Sequence, residues 1–216
     1  MNKCLFIATL MCSMAVNAQL TDEPVVMSYD GFYDRMEVVN EGNFQHAKVG
    51  FYLKTYENAE NCVLKEGKIV TERERFPLTY DDNGQLFLPF DKQLDTHKAM
   101  VIATPQSGQC QLSMQIEAPG PFTRLTYAQA YTIEQEFDDL IGDLSGFFVG
   151  TLMPFLLPEH KGVQLHFADT LPAKVPDSWQ CQGLQCKVPI EQQWQDNNKT
   201  LVEGTQIHRI TPWIAQ

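Results

Sequence analysis

The stretch QCQLSMQIEA, residues 109–118, alternates polar and apolar side chains over its whole length. The residues at even positions from Cys110 to Ala118 are apolar, and those between them are Gln, Ser or Glu. Neighbours along a β-strand point to opposite faces, so this alternation predicts a strand with one face in a core and the other in water. Cys110 falls on the core face, where a disulfide is expected and an exposed reactive thiol is not.

Four stretches upstream carry related strand signals, namely AKVGFYLK (47–54), CVLKEGKIVTE (62–72), LTYDDNGQLFLPF (78–90) and KAMVIAT (98–104). The first alternates, and the last is apolar on both faces, as expected of a central strand. The middle two each predict two strands joined by a turn, at Lys65–Lys68 and at Asp81–Gly84. Short strands with turns at this spacing are typical of an antiparallel sandwich or barrel.

Two segments predict helices. YDGFYDRMEVV (29–39) is a short one, with Asp30 as candidate N-cap residue. The longer one begins at Thr126, where Thr126 and Gln129 have the spacing of a capping box. Apolar residues then recur at helical spacing from Ile133 to Leu144, opposite an acidic face.

The residues after 160 predict a small β element. GVQLHF (162–167) alternates, and in LQCKVPI (184–190) the proline at 189 indicates an edge strand. The expected fold class is therefore α+β, with an antiparallel β-sandwich-like sheet, one long amphipathic helix and a small C-terminal β element.

Residues 1–18 predict a secretory signal peptide. Lys3 precedes an apolar stretch, and Val16 and Ala18 are the small residues expected before cleavage after Ala18. The stretch is too short to cross a bilayer as a helix. We expect residues 19–216 to form a single β-rich exported domain, with a division into a sandwich at 19–122 and a helix plus β element at 123–216 as the alternative.

The chain is acidic, with 16 Lys and Arg against 27 Asp and Glu and a net charge of −11. Such a chain lacks the electrostatic footprint of a nucleic-acid-binding protein and is repelled by anionic lipid. Hydrophobic residues make up 44% of the sequence, which is enough to build a core. We expect no nucleic-acid partner and no integral membrane segment after signal cleavage.

Four cysteines remain after removal of the predicted signal peptide. An even number in an exported chain indicates disulfides, and three pairings are possible. We favour Cys62–Cys110 and Cys181–Cys186. A redox pair or half of a zinc site is the alternative for CQGLQC (181–186), but the sequence lacks a C-x-x-C motif and four closely spaced ligands.

Catalytic signatures are missing from the sequence, which has no G-x-S-x-G, H-E-x-x-H, phosphate-loop or dinucleotide motif. We therefore assign no catalytic residue, cofactor or metal ligand. Convergence of His160, His166 and His208 on a metal is an alternative that the sequence leaves open. The carboxylates Glu134 and Asp138 are spaced as a functional pair would be, although a solvated helix face is the simpler interpretation.

Aromatic side chains supply the candidate binding surface. The alternation places Tyr52 and Phe87 on outward strand faces. The uncharged segment GFFVGTLMPFLLP (146–158) is expected to be a buried crossover, with an exposed partner-binding lip as the alternative. The candidate surface comprises Tyr29, Phe32, Tyr33, Tyr52, Phe87, Phe147, Phe148 and Phe155. Burial of the same aromatic side chains in a core is the competing interpretation.

Three phrases of the sequence carry a family resemblance, namely GFYDRMEVVNEGNFQHAKVGFYL (31–53), NCVLKEGKIVTERERFPLTYDDNGQLFLPFDKQL (61–94) and CQLSMQI (110–116). In this order they resemble an uncharacterised family of gammaproteobacterial exported proteins, domain of unknown function 2987. The resemblance spans about residues 25–170 and includes the placement of Cys62 and Cys110. It implies a periplasmic location in a Gram-negative cell, and it implies no activity.

The function expected from these observations is that of a periplasmic, non-enzymatic binding or interaction module of the cell envelope. Its ligand would be a protein, a peptide or a glycan, and its partner another envelope protein or a glycan. A hydrolase with a dispersed, motif-less active site is the alternative. In a hydrolase we expect a pocket that gathers histidine and acidic side chains, at least one of them with a shifted pKa.

Overall fold

A computed structural model describes residues 23–147 and 160–214. The strands within these ranges are β1 (Val25–Ser28), β2 (Lys48–Thr55), β3 (Leu64–Val70), β4 (Arg75–Pro77), β5 (Thr79–Tyr80), β6 (Gln85–Phe87), β7 (Met100–Pro105), β8 (Cys110–Thr126), β9 (His160–Phe167), β10 (Gln180–Gln182), β11 (Gln185–Pro189) and β12 (Thr200–Ile214). The α-helices are α1 (Asp30–Glu41), α2 (Lys92–Thr96) and α3 (Tyr127–Phe147), and a 3₁₀ turn spans Gln192–Trp194. The chain is therefore sheet-rich and α+β, as the sequence predicts.

The strands form two antiparallel sheets. One has four strands in the order β1-β7-β3-β4, and the other has eight in the order β10-β11-β9-β12-β8-β2-β6-β5. Strand β7 lies inside the four-stranded sheet, which confirms the prediction of a central strand for KAMVIAT. Strand β11 lies between β10 and β9, so the prediction that it forms an edge is wrong. The short hairpin strand β10 covers the side of β11 that would otherwise be exposed.

Strand β8 links the two halves of the large sheet. Its first half pairs with β2 over its full length, and its second half pairs with β12. The strand is longer than the alternating stretch that predicts it, because it continues through Gly120 and Pro121 to Thr126. Both residues lie at a register shift against β12, where a missing backbone N–H costs no regular ladder hydrogen bond. A Cβ atom at Gly120 would lie 2.5 Å from the carbonyl oxygen of Ile207, so only glycine fits there.

The buried apolar side chains form two clusters. One lies where α1, α2 and the four-stranded sheet meet β2 and the start of β8, and it includes Phe32, Phe51 and the Cys62–Cys110 disulfide. The other lies where α3 packs on β8, β9 and β12, and it includes Phe137 and Leu165. The predicted apolar stripe of the long helix is the face of α3 that this second cluster buries.

Hydrogen bonds fix the start of α3 and attach its middle to the start of β2. The backbone N–H of Gln129 donates to the Thr126 hydroxyl at 3.1 Å, and the N–H of Thr126 donates to Oε1 of Gln129 at 3.1 Å. This reciprocal pair confirms the capping box. Two turns further on, the carboxylate of Glu136 accepts the backbone N–H groups of His46 at 2.7 Å and Ala47 at 2.8 Å, which ties the helix to the start of β2.

Two local predictions need correction. The predicted turn at Lys65–Lys68 is wrong, because β3 runs through it and the chain turns at Thr71–Glu74, where the threonine hydroxyl accepts the N–H of Glu74 at 3.0 Å. Asp30 lies in the first turn of α1, and the N-cap residue is Tyr29. The turn at Asp81–Gly84 is confirmed and joins β5 to β6.

Both favoured disulfides are present. Cys62 and Cys110 are joined with an S–S distance of 2.04 Å, and Cys181 and Cys186 with one of 2.01 Å. The second disulfide joins directly opposite residues of β10 and β11. Within the described ranges, no helix combines the length and the apolar character that a membrane crossing requires.

Candidate functional site

The eight-stranded sheet has two chemically different faces. Register places Phe51 opposite Met114 and Tyr52 opposite Ser113, and since successive residues point to opposite sides, Tyr52 shares a face with Glu117. We call the face that carries Tyr52, Gln85, Gln115, Glu117, His166 and Arg209 the polar face. We call the opposite face, which carries Phe51, Leu53, Ala118, Leu165 and Ile210, the apolar face.

A buried hydrogen-bond network lies at the centre of the polar face. The hydroxyl of Tyr52 lies 2.8 and 2.7 Å from the two carboxylate oxygens of Glu117 and donates its proton to them. Nη1 of Arg209 donates to the Tyr52 hydroxyl at 3.2 Å and to the Glu117 carboxylate at 3.4 Å. Glu117 is 2% exposed and Tyr52 4%, while the side chain of Arg209 is 23% exposed, so three side chains from three strands form a largely buried ion pair with its hydrogen bonds.

Two amide side chains and one glycine complete this network. Gln85 donates from Nε2 to Glu117 at 3.4 Å, and Gln115 accepts from Nη1 of Arg209 at 3.4 Å. A Cβ atom at Gly50 would lie 2.5 Å from Oε1 of Glu117. The carboxylate therefore lies directly over the backbone of β2, and the absence of a side chain at Gly50 makes room for it.

The network holds its members in fixed charge states. Burial raises the pKa of the Tyr52 hydroxyl well above its ordinary value, and the hydrogen bond to Glu117 raises it further. The phenol is therefore a neutral donor at any physiological pH. Nε of Arg209 is buried and has no hydrogen-bond partner among the described residues, so the guanidinium keeps one donor unused.

Two histidines lie beside Arg209 on the same sheet. The ring centroids of His166 and His208 are 5.9 Å apart, and Nε2 of His166 lies 2.9 Å from the hydroxyl of Thr211. His166 is 5% exposed. Burial, then the charges of Arg209 and His208, lower the pKa of His166 to about 4, and burial and Arg209 also lower the pKa of His208. Both rings are neutral at pH 7.

A pocket of about 220 Å³ opens at this network. It is lined by Tyr52, Lys54, Asn61, Asn83, Gln85, Glu117, Pro119, His208 and Arg209. The ammonium of Lys54 lies 5.5 Å from the centroid of the Tyr52 ring and donates to the amide oxygen of Asn61. Burial lowers the pKa of Lys54, and the nearby charge of Arg209 lowers it further. The pocket thus combines two cations, one carboxylate that is ion-paired with Arg209, and several amide groups.

The structure brings only part of the predicted surface to this pocket. Tyr52 lines it, and Phe87 lies on the polar face with 46% of its surface exposed. Tyr29, Phe32 and Tyr33 are buried, because α1 packs its aromatic side against β2, as the edge-to-face contact of the Phe32 and Phe51 rings at 4.9 Å shows. These three side chains therefore lie in the core, as the competing interpretation of the sequence expects. Phe148, Phe155 and the side chain of Phe147 lie outside the described residues.

The other sequence hypotheses have mixed outcomes. His166 and His208 do converge, although the side chain of His160 lies outside the described residues. Within the described ranges, no group of three His, Cys, Asp or Glu side chains is arranged to hold a metal. On the acidic face of α3, burial raises the pKa of Asp139, and the charges of Asp138 and Asp143 raise it further.

Sequence reasoning missed most of the pocket. Alternation places Glu117 on the wet face of its strand, but the structure buries it. Its charged partner Arg209 is 92 residues away, in a stretch that alternation identifies only as strand. One signal available in the sequence was Glu117 itself, the acidic residue near the end of QCQLSMQIEA. It lies on the same face of the sheet as Tyr52.

Comparison with known proteins gives one match. A family model described as "Protein of unknown function (DUF2987)" matches residues 21–167. The match includes Tyr52, Glu117 and His166 and ends before His208 and Arg209. No curated protein and no solved structure matches the chain.

Proposed function

The chain belongs to the DUF2987 family, and from that premise we propose that it is an exported, non-enzymatic binding module of the cell envelope. We place its binding site in the pocket around Tyr52, Glu117 and Arg209. The family description carries no activity, so the proposal rests on the pocket itself. The observation that carries it is a buried ion pair at the wall of an open polar pocket.

The physical argument starts from the cost of burial. Removing two charges from water costs several kcal/mol for each ion, and a well-packed apolar pair is often as stable. A structure that retains Glu117 and Arg209 inside a sheet therefore gains something other than stability, and clefts that gather such groups are the usual functional sites. The unused Nε donor of Arg209 points to the same conclusion.

Export is the second part of the proposal. Two disulfides support an oxidising compartment, because cytosolic thiols are kept reduced. Together with the predicted signal peptide, they support a periplasmic location in a Gram-negative, gammaproteobacterial cell. In this proposal the mature chain begins after Ala18 and acts as one domain, in which β8 lines both apolar clusters.

Binding is favoured over catalysis by the state of the polar groups. Both carboxylate oxygens of Glu117 accept from Tyr52, and Gln85 and Arg209 add further donors, so the carboxylate is poorly placed to accept a substrate proton. The raised pKa of Tyr52 also makes its hydroxyl a poor nucleophile. The network therefore fixes charges in place, as a binding site requires.

A hydrolase is the second candidate, and one observation favours it. His208 and Glu117 line the same pocket, and the lowered pKa of His208 leaves its ring neutral and able to accept a proton at pH 7. A panel of ester, peptide and glycoside substrates separates the two functions. Turnover by the wild-type protein that disappears in His208→Gln would favour the hydrolase.

The binding proposal is tested by NMR. ¹⁵N-labelled protein, purified after export, is mixed with the small-molecule fraction of a periplasmic extract. We expect shifts of the side-chain amide signals of Asn61, Asn83 and Gln85. The amides of Gln164 and Gln185, which bond to each other at 2.7 Å outside the pocket, serve as an internal control. An extract that shifts no signal, or only signals outside the pocket, would contradict the proposal.

A further inference from the structure

The charge of the pocket is opposite in sign to that of the chain. Acidic residues outnumber basic ones by 27 to 16 overall, yet the pocket lining contains the cations Lys54 and Arg209 against the single carboxylate of Glu117. In so acidic a chain, a cluster of basic groups around one opening makes the electrostatic potential there locally positive. Such a potential concentrates anions at the opening.

The two cations lie around one aromatic ring. The Lys54 ammonium is 5.5 Å and the Arg209 guanidinium carbon 5.6 Å from the centroid of the Tyr52 ring. Burial lowers the pKa of Lys54, and the nearby charge of Arg209 lowers it further. Among the described residues, the ammonium of Lys54 donates to the amide of Asn61 alone. Lys54 therefore has hydrogen-bonding capacity for a negatively charged group, and Arg209 adds its positive charge beside it.

The other titratable groups at the pocket determine how many negative charges a bound anion should carry. Glu117 is paired with Arg209, and the two histidines are neutral at pH 7, so one positive charge is left unbalanced at the pocket. Asp81, in the turn next to the rim, directs its carboxylate to the backbone N–H groups of Asn83 and Gln85 at 2.9 Å. A single positive charge is matched by a monoanion and exceeded by a dianionic phosphate.

The size and lining of the pocket describe the rest of the ligand. A volume of about 220 Å³ is below the roughly 300–1,000 Å³ of sites for drug-sized ligands, which favours a ligand on the scale of a monosaccharide or one amino-acid unit. The amides of Asn61, Asn83 and Gln85 offer paired donors and acceptors, as hydroxyl or amide groups need.

We propose that the pocket binds a small polar monocarboxylate, with its carboxylate held between Lys54 and Arg209. This inference rests on the proposed binding function and adds the class of ligand. The amides of the rim pair with the hydroxyl or amide groups of the ligand, and Tyr52 and Glu117 hold the guanidinium in place.

Titration with matched probes tests the inference. D-glucuronate is compared with D-glucose, and N-acetylglycine with N-acetylglycinamide, so that in each comparison the carboxylate is replaced by an uncharged group. We expect at least one acid to bind at least ~10-fold more tightly than its neutral counterpart. The difference should shrink as salt is added, because Lys54 is near the surface. Inorganic phosphate is the fifth probe and is expected to bind more weakly than that acid.

Lys54→Met isolates the role of the cation, because it keeps the length of the side chain and removes its charge. We expect a loss of at least ~5-fold in affinity for the acid and no change for the neutral probe. Lys68→Met is the matched control, since Lys68 lies on β3 in the other sheet and does not line the pocket. Thermal unfolding of both variants checks that they fold alike.

The outcomes separate this inference from the proposed function. Neutral probes that bind as tightly as the acids, or phosphate that binds more tightly, would overturn the monocarboxylate and leave a binding pocket. Unchanged affinity in Lys54→Met would also overturn it. If none of the five probes binds, the inference fails, and the extract experiment decides separately whether the pocket binds another ligand.

Discussion

The two faces of the eight-stranded sheet bury side chains by opposite means. On the apolar face, α3 covers the sheet, and Phe137 and Leu165 belong to the same cluster of buried apolar side chains. On the polar face, Glu117 and His166 are nearly as inaccessible, but each is held by hydrogen bonds. Burial alone therefore does not distinguish a structural face from a functional one. What distinguishes the two faces is whether the buried side chains carry polar groups that can still interact with a ligand.

The largest expected effect is on the apolar face. Phe137→Ala removes a fully buried ring and leaves a cavity, so we expect the free energy of unfolding to fall by about 3–5 kcal/mol. Phe87→Ala, on the polar face, removes a ring that is about half exposed and should cost less than about 1 kcal/mol. Urea denaturation with the disulfides intact measures both. Equal losses would mean that the comparison between the faces is wrong.

The next effect is on the ion pair. Arg209→Met leaves the buried Glu117 carboxylate without its cation, and we expect a loss of roughly 3 kcal/mol, the low end for a broken buried pair because Arg209 is 23% exposed. Adding Glu117→Gln removes the unpaired charge and should restore a large part of this loss. The double-mutant cycle gives the coupling energy. Additive losses would show that the two side chains do not act as one network.

The smallest effect is a pH dependence. The pKa of His166 is about 4 in the folded chain and about 6.5 when unfolded, so between these values the unfolded chain binds more protons. Stability should therefore fall as the pH is lowered, by about 2 kcal/mol between pH 7 and pH 5. His166→Gln keeps a polar partner for Thr211 and should flatten this part of the curve. An unchanged slope in the variant would assign the pH dependence to other groups.

Much of the fold follows from local patterns in the sequence. Alternation identifies β2, β8 and β9, because one face of each is determined by its own residues, and the apolar character of both faces identifies β7. The capping box at Thr126 and Gln129 locates the start of α3 for the same reason. The longer extent of β8 was not predictable, since its continuation through Gly120 and Pro121 depends on a register shift against β12.

The candidate site follows from the sequence only in part. The prediction that the side chains of Tyr52 and Glu117 point away from the apolar face of the sheet is correct, because alternation along each strand determines it. Their burial is not local, since it requires Arg209 from β12 and Gln85 from β6 to meet them. A charged side chain at an outward position is expected to be solvated, and only the pairing of distant strands reveals that this one is not.

The distance of 92 residues between Glu117 and Arg209 has a consequence for biogenesis. A chain that crosses a membrane from its N-terminus delivers Tyr52 and the carboxylate to the far side well before the guanidinium. Until β12 arrives, the negative charge has to stay hydrated, so the half of the sheet that is already translocated cannot close over it. In the proposed export, β12 is thus the strand that pairs the buried carboxylate with its cation, and the polar face can be completed only after β12 has crossed the membrane.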